Sequence, residues 1–554
     1  MTRRVSNVIT LAAAAALGGP SAALALPAPH RAAVPHEAAA TAAPGASASV
    51  AAKNRFDILE YRVLGNHRLA PLAIERAVYP FLGPNGDMEA VKKAVEALEK
   101  AYKDAGYGTV YVDIPEQTVD EGVVRLKVTE GTLEHVRVHG ARYFSDRQIL
   151  AALPALVPGT TPHLPTLQQE LTALNARTPD QTITPILKAG AAPGTVDVDL
   201  AVKDTLPLHG FIETDNRHTA DTTPNRVSAG LSYDNLWQRQ DSLSLQYQTA
   251  PANPRNATVD SATYLAHVGG SDGEALLSYI HTSSNVLALG TLGVLGKGDI
   301  YGLHWQQTLA NTAATTQAFS LGVDYKDVLT EVFPDSTGTN GSTPVFTPVR
   351  YLNWSGNYSQ VWRLPTSTFV TSLGLGFGVQ GLVNQVDEFA TARYDASPAY
   401  LYLRFSGAAT QRLPGGLALV ARLSSQWSAN PLVNNEQFPL GGLDTVRGYL
   451  EAETLGDSGA AGTLELQSPA AGAHLGTLLS PLYAFVFIDG GVATLLEPLP
   501  AQAYNVRLWS VGGGLRIERP SGFAGTLDYA LPEAGGIRTL KGQGRVDFTF
   551  RYGF

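Results

Sequence analysis

From about residue 208 to the C-terminus, apolar and polar residues alternate along one short segment after another. In residues 226–234 every second residue is apolar, and the residues between them are Arg, Ser, Gly or Asp. Residues 242–248, 417–424 and 545–554 show the same period of two. Because successive side chains of a strand point to opposite faces, this period predicts half-buried β-strands rather than helices.

The length of the alternating region points to a membrane barrel. A region of about 345 residues is too long for one soluble β-sandwich. Its segments of about ten residues are separated by turns rich in Asn, Asp, Gly and Pro, which is typical of a transmembrane antiparallel β-barrel. Allowing roughly 20–22 residues for a tilted strand and its share of the loops predicts about 16 strands. A barrel of that size encloses an aqueous lumen, because side chains do not fill it.

Composition argues against several other classes of protein. Only 16% of the residues are charged and the net charge is −9, so we expect no nucleic acid partner. No run of about 18 apolar residues predicts a membrane-spanning helix. The chain has no cysteine, which excludes disulfides, thiolate metal sites and a cysteine nucleophile. Since no catalytic, metal-binding or cofactor-binding set is recognisable, we expect neither an enzyme nor a cofactor.

The N-terminal residues predict export from the cytoplasm. Two arginines precede the apolar run 8–17, and small residues follow at 23–25, as in a secretory signal. We therefore assign residues 1–25 to a signal peptide. Residues 26–54 are mostly Ala, Pro, Ser, Gly and Thr, a composition that buries too little surface to fold, so they predict a flexible leader.

The next region combines short strands with amphipathic helices. Its clearest helix begins near Met88, where apolar residues recur every three or four positions, and Gly106 supplies its stop. A similar order of elements then repeats, which predicts two small α/β domains at 55–130 and 131–205, before a barrel at 206–554. Strands are expected at 58–63, 109–112, 123–129, 134–139, 183–187 and 195–202, and further helices at 146–153 and 166–176.

Two short segments of the strand region suggest a charge pair across the lumen. The Gly-rich stretch 437–449 contains Arg447, and the segment 487–491 contains Asp489. In a strand over 483–490, Asp489 shares a face with two phenylalanines and is expected to point inward. A wet lumen would support an Arg paired with such a carboxylate, at a stabilisation of about 1 kcal/mol. The residue pattern alone leaves equally open an ordinary surface loop with an unrelated strand Asp.

Both segments resemble signatures of the outer-membrane assembly and translocation superfamily. The first resembles V-R-G-[FY], which lies on a long loop that folds back into the barrel. The second resembles F-x-D-x-G, on a strand that faces this loop. The resemblance implies that the loop and the wall meet through these residues: Val446, Arg447, Gly448, Tyr449, Phe487, Asp489 and Gly491.

The residues before the barrel resemble a polypeptide-transport-associated (POTRA) domain. Residues 130–131, 139–145, 174–175 and 190–197 are similar to the second POTRA domain of two-partner secretion transporters. Two such domains before a barrel are typical of the TpsB type, the ShlB/FhaC/HecB haemolysin secretion/activation family. The resemblance covers nearly all of the chain after the signal, and it implies an outer-membrane location with the POTRA domains in the periplasm.

This resemblance also implies a function. The POTRA domains would capture an unfolded exoprotein of haemolysin, haemagglutinin or adhesin type, encoded nearby, and the barrel would conduct it to the cell surface. Outer-membrane lipid and the barrel-insertion machinery are the further expected partners, and Phe554 resembles the C-terminal signal read by that machinery. A barrel-assembly factor of the same superfamily is the alternative. Family members commonly begin with a plug helix, and the prolines of residues 26–54 leave its existence here open.

Overall fold

The computed structural model describes residues 55–119, 121–220, 222–268, 273–283, 297–309, 311–312, 314–332, 345–471, 481–500, 502–519 and 521–554. The signal peptide expected at 1–25, the leader expected at 26–54 and any plug helix in that leader lie outside these residues. Two compact units make up the described chain, with the boundary between Leu206 and Pro207.

The first unit opens with a β-α-α-β-β motif, to which a separate sheet of two short strands is added. Its long helix begins after Asp87, whose side chain accepts a hydrogen bond from the N–H of Ala90 at 3.0 Å. Gly106 follows the helix with φ 92°, a conformation that closes helices and favours glycine. The sequence pattern missed α1, which is too short to show a helical period. The elements are β1 Phe56–Ile58, β2 Glu60–Leu64, α1 Pro71–Val78, β3 Gly83–Gly86, α2 Met88–Asp104, β4 Val110–Asp113 and β5 Val123–Glu130.

A second copy of this motif follows directly. In both copies the first strand of the main sheet pairs in parallel with the last, and the middle strand pairs antiparallel with the last, so the sheet orders are β2-β5-β4 and β6-β8-β7. The elements of the second copy are β6 Thr132–His139, α3 Asp146–Ala151, α4 Leu164–Arg177, β7 Gln181–Ala189 and β8 Thr195–Asp204.

The two copies also share one stabilising device at equivalent positions. Gly65 and Gly140 each follow the first strand of a sheet, with φ 86° and 89°. Glu130, the last residue of β5, accepts hydrogen bonds from two backbone N–H groups of the loop after Gly65, at 2.7 and 2.9 Å. Asp204, the last residue of β8, accepts three from the loop after Gly140, at 2.7–3.2 Å. A carboxylate at the end of each sheet therefore fixes the turn after its first strand.

The second unit is a closed antiparallel barrel of sixteen strands within the described residues, in agreement with the number predicted from length. Apart from the connection between β22 and β23, connections are shorter at the end where the first strand begins than at the opposite end. The barrel strands are β9 Leu208–Asp215, β10 Arg226–Leu236, β11 Asp241–Thr249, β12 Val259–His267, β13 Gly273–Thr282, β14 Lys297–Thr308, β15 Thr315–Val332, β16 Val345–Arg363, β17 Ser367–Gly378, β18 Leu401–Arg412, β19 Ala418–Ser428, β22 Ser458–Gln467, β23 Leu482–Thr494, β24 Asn505–Glu518, β25 Phe523–Pro532 and β26 Arg545–Gly553.

Three further elements lie in the longer connections of the barrel. A short helix, α5, lies between β17 and β18, and two three-residue strands, β20 and β21, lie between β19 and β22. Their bounds are α5 Val386–Ala392, β20 Phe438–Leu440 and β21 Thr454–Gly456.

The apolar and polar residues that alternate in the sequence lie on opposite faces of the barrel wall. On β10, Leu231 is 48% exposed, whereas Arg226 and Ser228 are buried on the opposite face. Apolar side chains therefore face outward, where a membrane would surround them, and polar ones face inward. In the described part of the chain, helices long and apolar enough to cross a membrane are absent.

The C-terminal residue takes part in closing the barrel. Strand β26 pairs with β9 from Thr549 opposite Asp215 to Gly553 opposite Phe211. Phe554 extends this seam: its N–H donates to the Gly210 carbonyl at 2.9 Å, and the Gly210 N–H donates to the Phe554 carbonyl at 3.1 Å. Its ring also fills the space beside Gly210, where an added Cβ would lie 2.5 Å from the ring.

Deleting Phe554 should therefore lower the amount of folded barrel in the outer membrane. The deletion removes two seam hydrogen bonds and the terminal ring, and we expect about a fivefold loss of the band that shifts on heating in gel electrophoresis. Phe554→Tyr is the matched control, because it keeps the ring and the backbone contacts. Normal barrel abundance after the deletion would show that the residue is not needed for assembly.

Candidate functional site

The longest connection on the described barrel, residues 429–457 between β19 and β22, folds back against the inner wall. We call it the inner loop. Its two short strands pair as a hairpin, with Phe438 opposite Gly456, and residues 441–453 form the tip. Gly448 has φ 89° at this tip, a backbone conformation that side chains other than glycine rarely adopt.

The wall that faces this tip is β23, and its side chains divide cleanly between two faces. Val486 and Ile488 are 60% and 48% exposed on the outer face. Phe487 and Asp489 are buried on the inner face. The strand therefore presents a ring and a carboxylate, two residues apart, to the inner loop.

Arg447 occupies the position between these two groups. Its Nε donates to Asp489 Oδ2 at 2.7 Å, and its Nη2 donates to Oδ1 at 2.9 Å. The backbone N–H of Arg447 donates to the same carboxylate at 3.1 Å. Its guanidinium carbon lies 3.3 Å from the centroid of the Phe487 ring. The carboxylate thus sets the orientation of the guanidinium plane, and the ring covers one face of it.

Arg447 and Asp489 are more deeply buried than a water-filled lumen would leave them. The prediction of wet surroundings was wrong for this site. The Arg447 side chain is 4% exposed and that of Asp489 1%. Charges this deeply buried need partners, and the loss of one partner of such a pair costs about 3–5 kcal/mol, because the other is left uncompensated. The estimate of about 1 kcal/mol for an exposed pair does not apply here.

A second carboxylate, Glu465, binds the same guanidinium and was not found from the sequence. Its Oε2 accepts from Nη1 of Arg447 at 2.9 Å, and its Oε1 accepts from Arg516 at 3.1 Å. Gln467 donates to Oε1 as well, at 2.8 Å. The sequence did place an acidic residue at an inward position of β22. This did not distinguish Glu465, because many inward positions of the barrel are polar. Only the pairing of β22 with β23 identifies this one.

The other residues of the V-R-G-Y segment bind the wall by packing and by one hydroxyl. Val446 is fully buried in an apolar cluster with Leu440 and Leu508. The Tyr449 hydroxyl donates to the Ala534 carbonyl at 2.8 Å and lies 3.0 Å from that of Trp509. Leu508 and Trp509 lie on β24 and Ala534 lies in the connection after β25, so these contacts join the loop tip to the wall.

The glycines of both signatures make room for close approach. A Cβ at Gly448 would lie 3.0 Å from the Ala530 Cβ, and one at Gly491 would lie 2.4 Å from a methyl carbon of Leu440. All seven signature residues are thus brought together at one contact between loop and wall. Phe554, by contrast, lies at the barrel seam.

Three acidic residues of the inner loop, also missed from the sequence, tie it to other long connections. Glu451 accepts from Nε of Arg217 at 2.9 Å, and burial raises the pKa of its carboxyl while Arg217 opposes that shift. Glu453 accepts from the N–H of Thr539 at 2.8 Å. Asp457, with no exposed surface, accepts from Arg393 at 2.7 Å. Each partner lies on a different connection.

The sequence profile of the haemolysin secretion/activation protein ShlB/FhaC/HecB matches residues 194–517, more than half of the chain. The chain belongs to this family. Residues 56–131 match the POTRA domain of ShlB type. The barrel of this family member is located in the outer membrane, with POTRA domains in the periplasm.

Several known proteins are similar to this family member. Outer membrane transporter CdiB of Dickeya dadantii (strain 3937) is 24% identical over 395 residues, which cover 69% of this chain and 66% of that protein. The heme/hemopexin transporter protein HuxB of Haemophilus influenzae (strain 86-028NP) is 21% identical over 492 residues, which cover 86% of this chain and 84% of that protein. The solved structure of CdiB from Escherichia coli matches with a TM-score of 0.58 and 18% identity, over 92% of this chain and 93% of that one, which supports the fold.

Arg447→Ala should abolish export and leave a folded barrel. The closed sheet does not depend on the loop tip, whereas the tip depends on this side chain, so we expect at least about a hundredfold loss of export per inserted barrel. Asp489→Ala should have a similar effect, and the double variant should be no worse than either single one. The measurement is a double-mutant cycle on export rate, with Arg447→Lys as the charge-conserving control. Strictly additive losses would show that the two residues do not act as a pair.

Proposed function

We propose that the protein secretes a large partner exoprotein across the outer membrane, with the POTRA domains capturing the unfolded partner and the barrel conducting it. The observation that supports this most is the match of the barrel to the ShlB/FhaC/HecB family, together with an inner loop bound to the wall by Arg447 and Asp489. In this proposal the protein is a conduit and carries out no catalytic step. The family match also favours secretion over the alternative of a barrel-assembly factor.

Capture of an unfolded segment is supported by the edges of the two small sheets. Among the described strands, β2 pairs only with β5 and so leaves one edge open in the first sheet. In the second sheet, the edge strand β7 carries Pro185, which has no N–H to donate. The other edge, β6, is partly covered, because Leu133 donates to Thr160 at 2.8 Å. An extended client is therefore expected to add to the first sheet more readily than to the second.

The direction of transport follows from chain order. The POTRA domains precede β9, so β9 begins on the periplasmic side, and the inner loop and the other connections at the opposite end lie on the side of the cell surface. A chain that folds beyond that surface cannot slide back, so folding outside would drive export without a nucleotide. The proposal further includes a partner encoded nearby, outer-membrane lipid against the apolar outer face, and assembly by the barrel-insertion machinery.

Removing residues 55–130 should leave a folded barrel that no longer exports. The deletion takes away the sheet with the open β2 edge and keeps every strand of the barrel. We expect normal heat-modifiability and at least about a hundredfold lower secretion of the exoprotein encoded next to the gene. The full-length protein with Arg447→Ala is the comparison, since it loses export and keeps recognition. Secretion at the normal rate after the deletion would place recognition elsewhere.

A further inference from the structure

A further buried and fully paired charge lies near the start of the inner loop, eleven residues before Arg447. Glu436 ends the short 3₁₀ turn Asn434–Glu436 and is 1% exposed. Its Oε1 accepts from Lys326 Nζ at 2.5 Å and from the Tyr351 hydroxyl at 2.7 Å. Its Oε2 accepts from the Tyr402 hydroxyl at 2.8 Å. One ammonium and two hydroxyl groups therefore satisfy this carboxylate.

The three donors lie on three wall strands, β15, β16 and β18. Tyr402 points inward, since its neighbours Leu401 and Leu403 are each 41% exposed on the outer face. These strands precede β19, from which the inner loop leaves, whereas Arg447 binds the strands that follow the loop. Glu436 and Arg447 therefore hold the loop on opposite sides of its point of attachment.

The Glu436 carboxylate is enclosed by buried side chains, both apolar and polar, so its partners matter. Leu432 and Val433, on the same stretch of loop, are each 1% exposed in a cluster with Tyr351 and with Phe389 of α5. The backbone carbonyl of Glu436 also accepts from Gln426 at 2.9 Å. A charge in such a place costs free energy unless it is paired, and apolar residues would fill the space at lower cost.

We propose that Glu436 is a positioning residue for export: it holds the base of the inner loop on β15, β16 and β18, while Arg447 holds the tip on β22 and β23. The export part of this inference rests on the proposed function. The positional part does not, because it concerns only where residues 432–436 lie. If the base of the loop, residues 432–436, were released, the tip, residues 441–453, would no longer be held in one position against β23.

Two substitutions separate the charge pair from the rest of the site. Glu436→Gln keeps one oxygen, which can accept from one of the two tyrosines, and leaves the Lys326 ammonium without a counter-charge. Lys326→Met leaves the carboxylate without its cation, and the double variant removes both charges. We expect each single variant to lower export per inserted barrel about tenfold, and the double variant to return to within about threefold of the unmodified protein.

Loop position is measured independently of any exoprotein. Because the chain has no cysteine, Leu432→Cys places a single thiol at the buried base of the loop. On whole cells, a membrane-impermeant maleimide should label this thiol about tenfold faster with Glu436→Gln than without it, and at the slow rate in the double variant. Glu388→Gln is the matched control: Glu388 pairs with Arg350 of the wall at 3.0 Å but lies outside the inner loop, so labelling should stay slow.

The outcomes separate the two claims. The inference requires that Glu436→Gln both speeds labelling and lowers export. Slow labelling would overturn it whether export is normal or lost, and so would fast labelling with normal export. Additive losses of export for Glu436→Gln and Lys326→Met would show that the two residues do not act as a pair. Labelling as expected, in a protein that secretes nothing even when unmodified, would instead overturn the proposed function. If Glu436→Gln barrels do not insert, Tyr402→Phe, which removes one hydrogen bond and no charge, takes its place in both measurements.

Discussion

Pairing of every backbone N–H and C=O group is the constraint on which the rest of this structure depends. In lipid there is no water to replace a missing partner, so a sheet that crosses the membrane must close on itself. Here the last strand, β26, returns to the first, β9, and Phe554 adds two more hydrogen bonds to that seam. Closure creates an inner face, and the inner loop makes its contacts on that face and with the other long connections.

Buried charge is the second organising feature, and five of the buried charged residues in the described chain lie on the inner loop. Arg447 lies between Asp489 and Glu465, and Glu436 lies among Lys326 and two tyrosines. An apolar loop would bind the same wall with less desolvation cost, but it could bind in many registers. Bidentate and multiply hydrogen-bonded charges accept only one arrangement, so the structure exchanges some stability for a defined loop position.

The small domains show how one device can be used twice by different residues. Glu130 and Asp204 are different residues, yet each ends the last strand of its sheet and accepts backbone N–H groups from the loop after the first strand. The two glycines at the start of those loops have nearly the same φ. What repeats is therefore a geometric requirement, a tight turn whose donors need a carboxylate, and the sequence pattern alone revealed it only as a similar order of strands and helices.

The sequence by itself determined the class of fold, the number of barrel strands and the inward direction of Asp489, because all three follow from a period of two repeated over a known length. It also determined the helix at Met88–Asp104, whose cap and glycine stop are local signals. The tertiary structure decided how deeply the Arg447 site is buried, since burial depends on a loop that folds back over it. It also decided which polar wall residues are partners. Glu465, Lys326 and Tyr402 have the same alternating context as many other residues of the wall, and only closure of the barrel around the inner loop places them beside its charges.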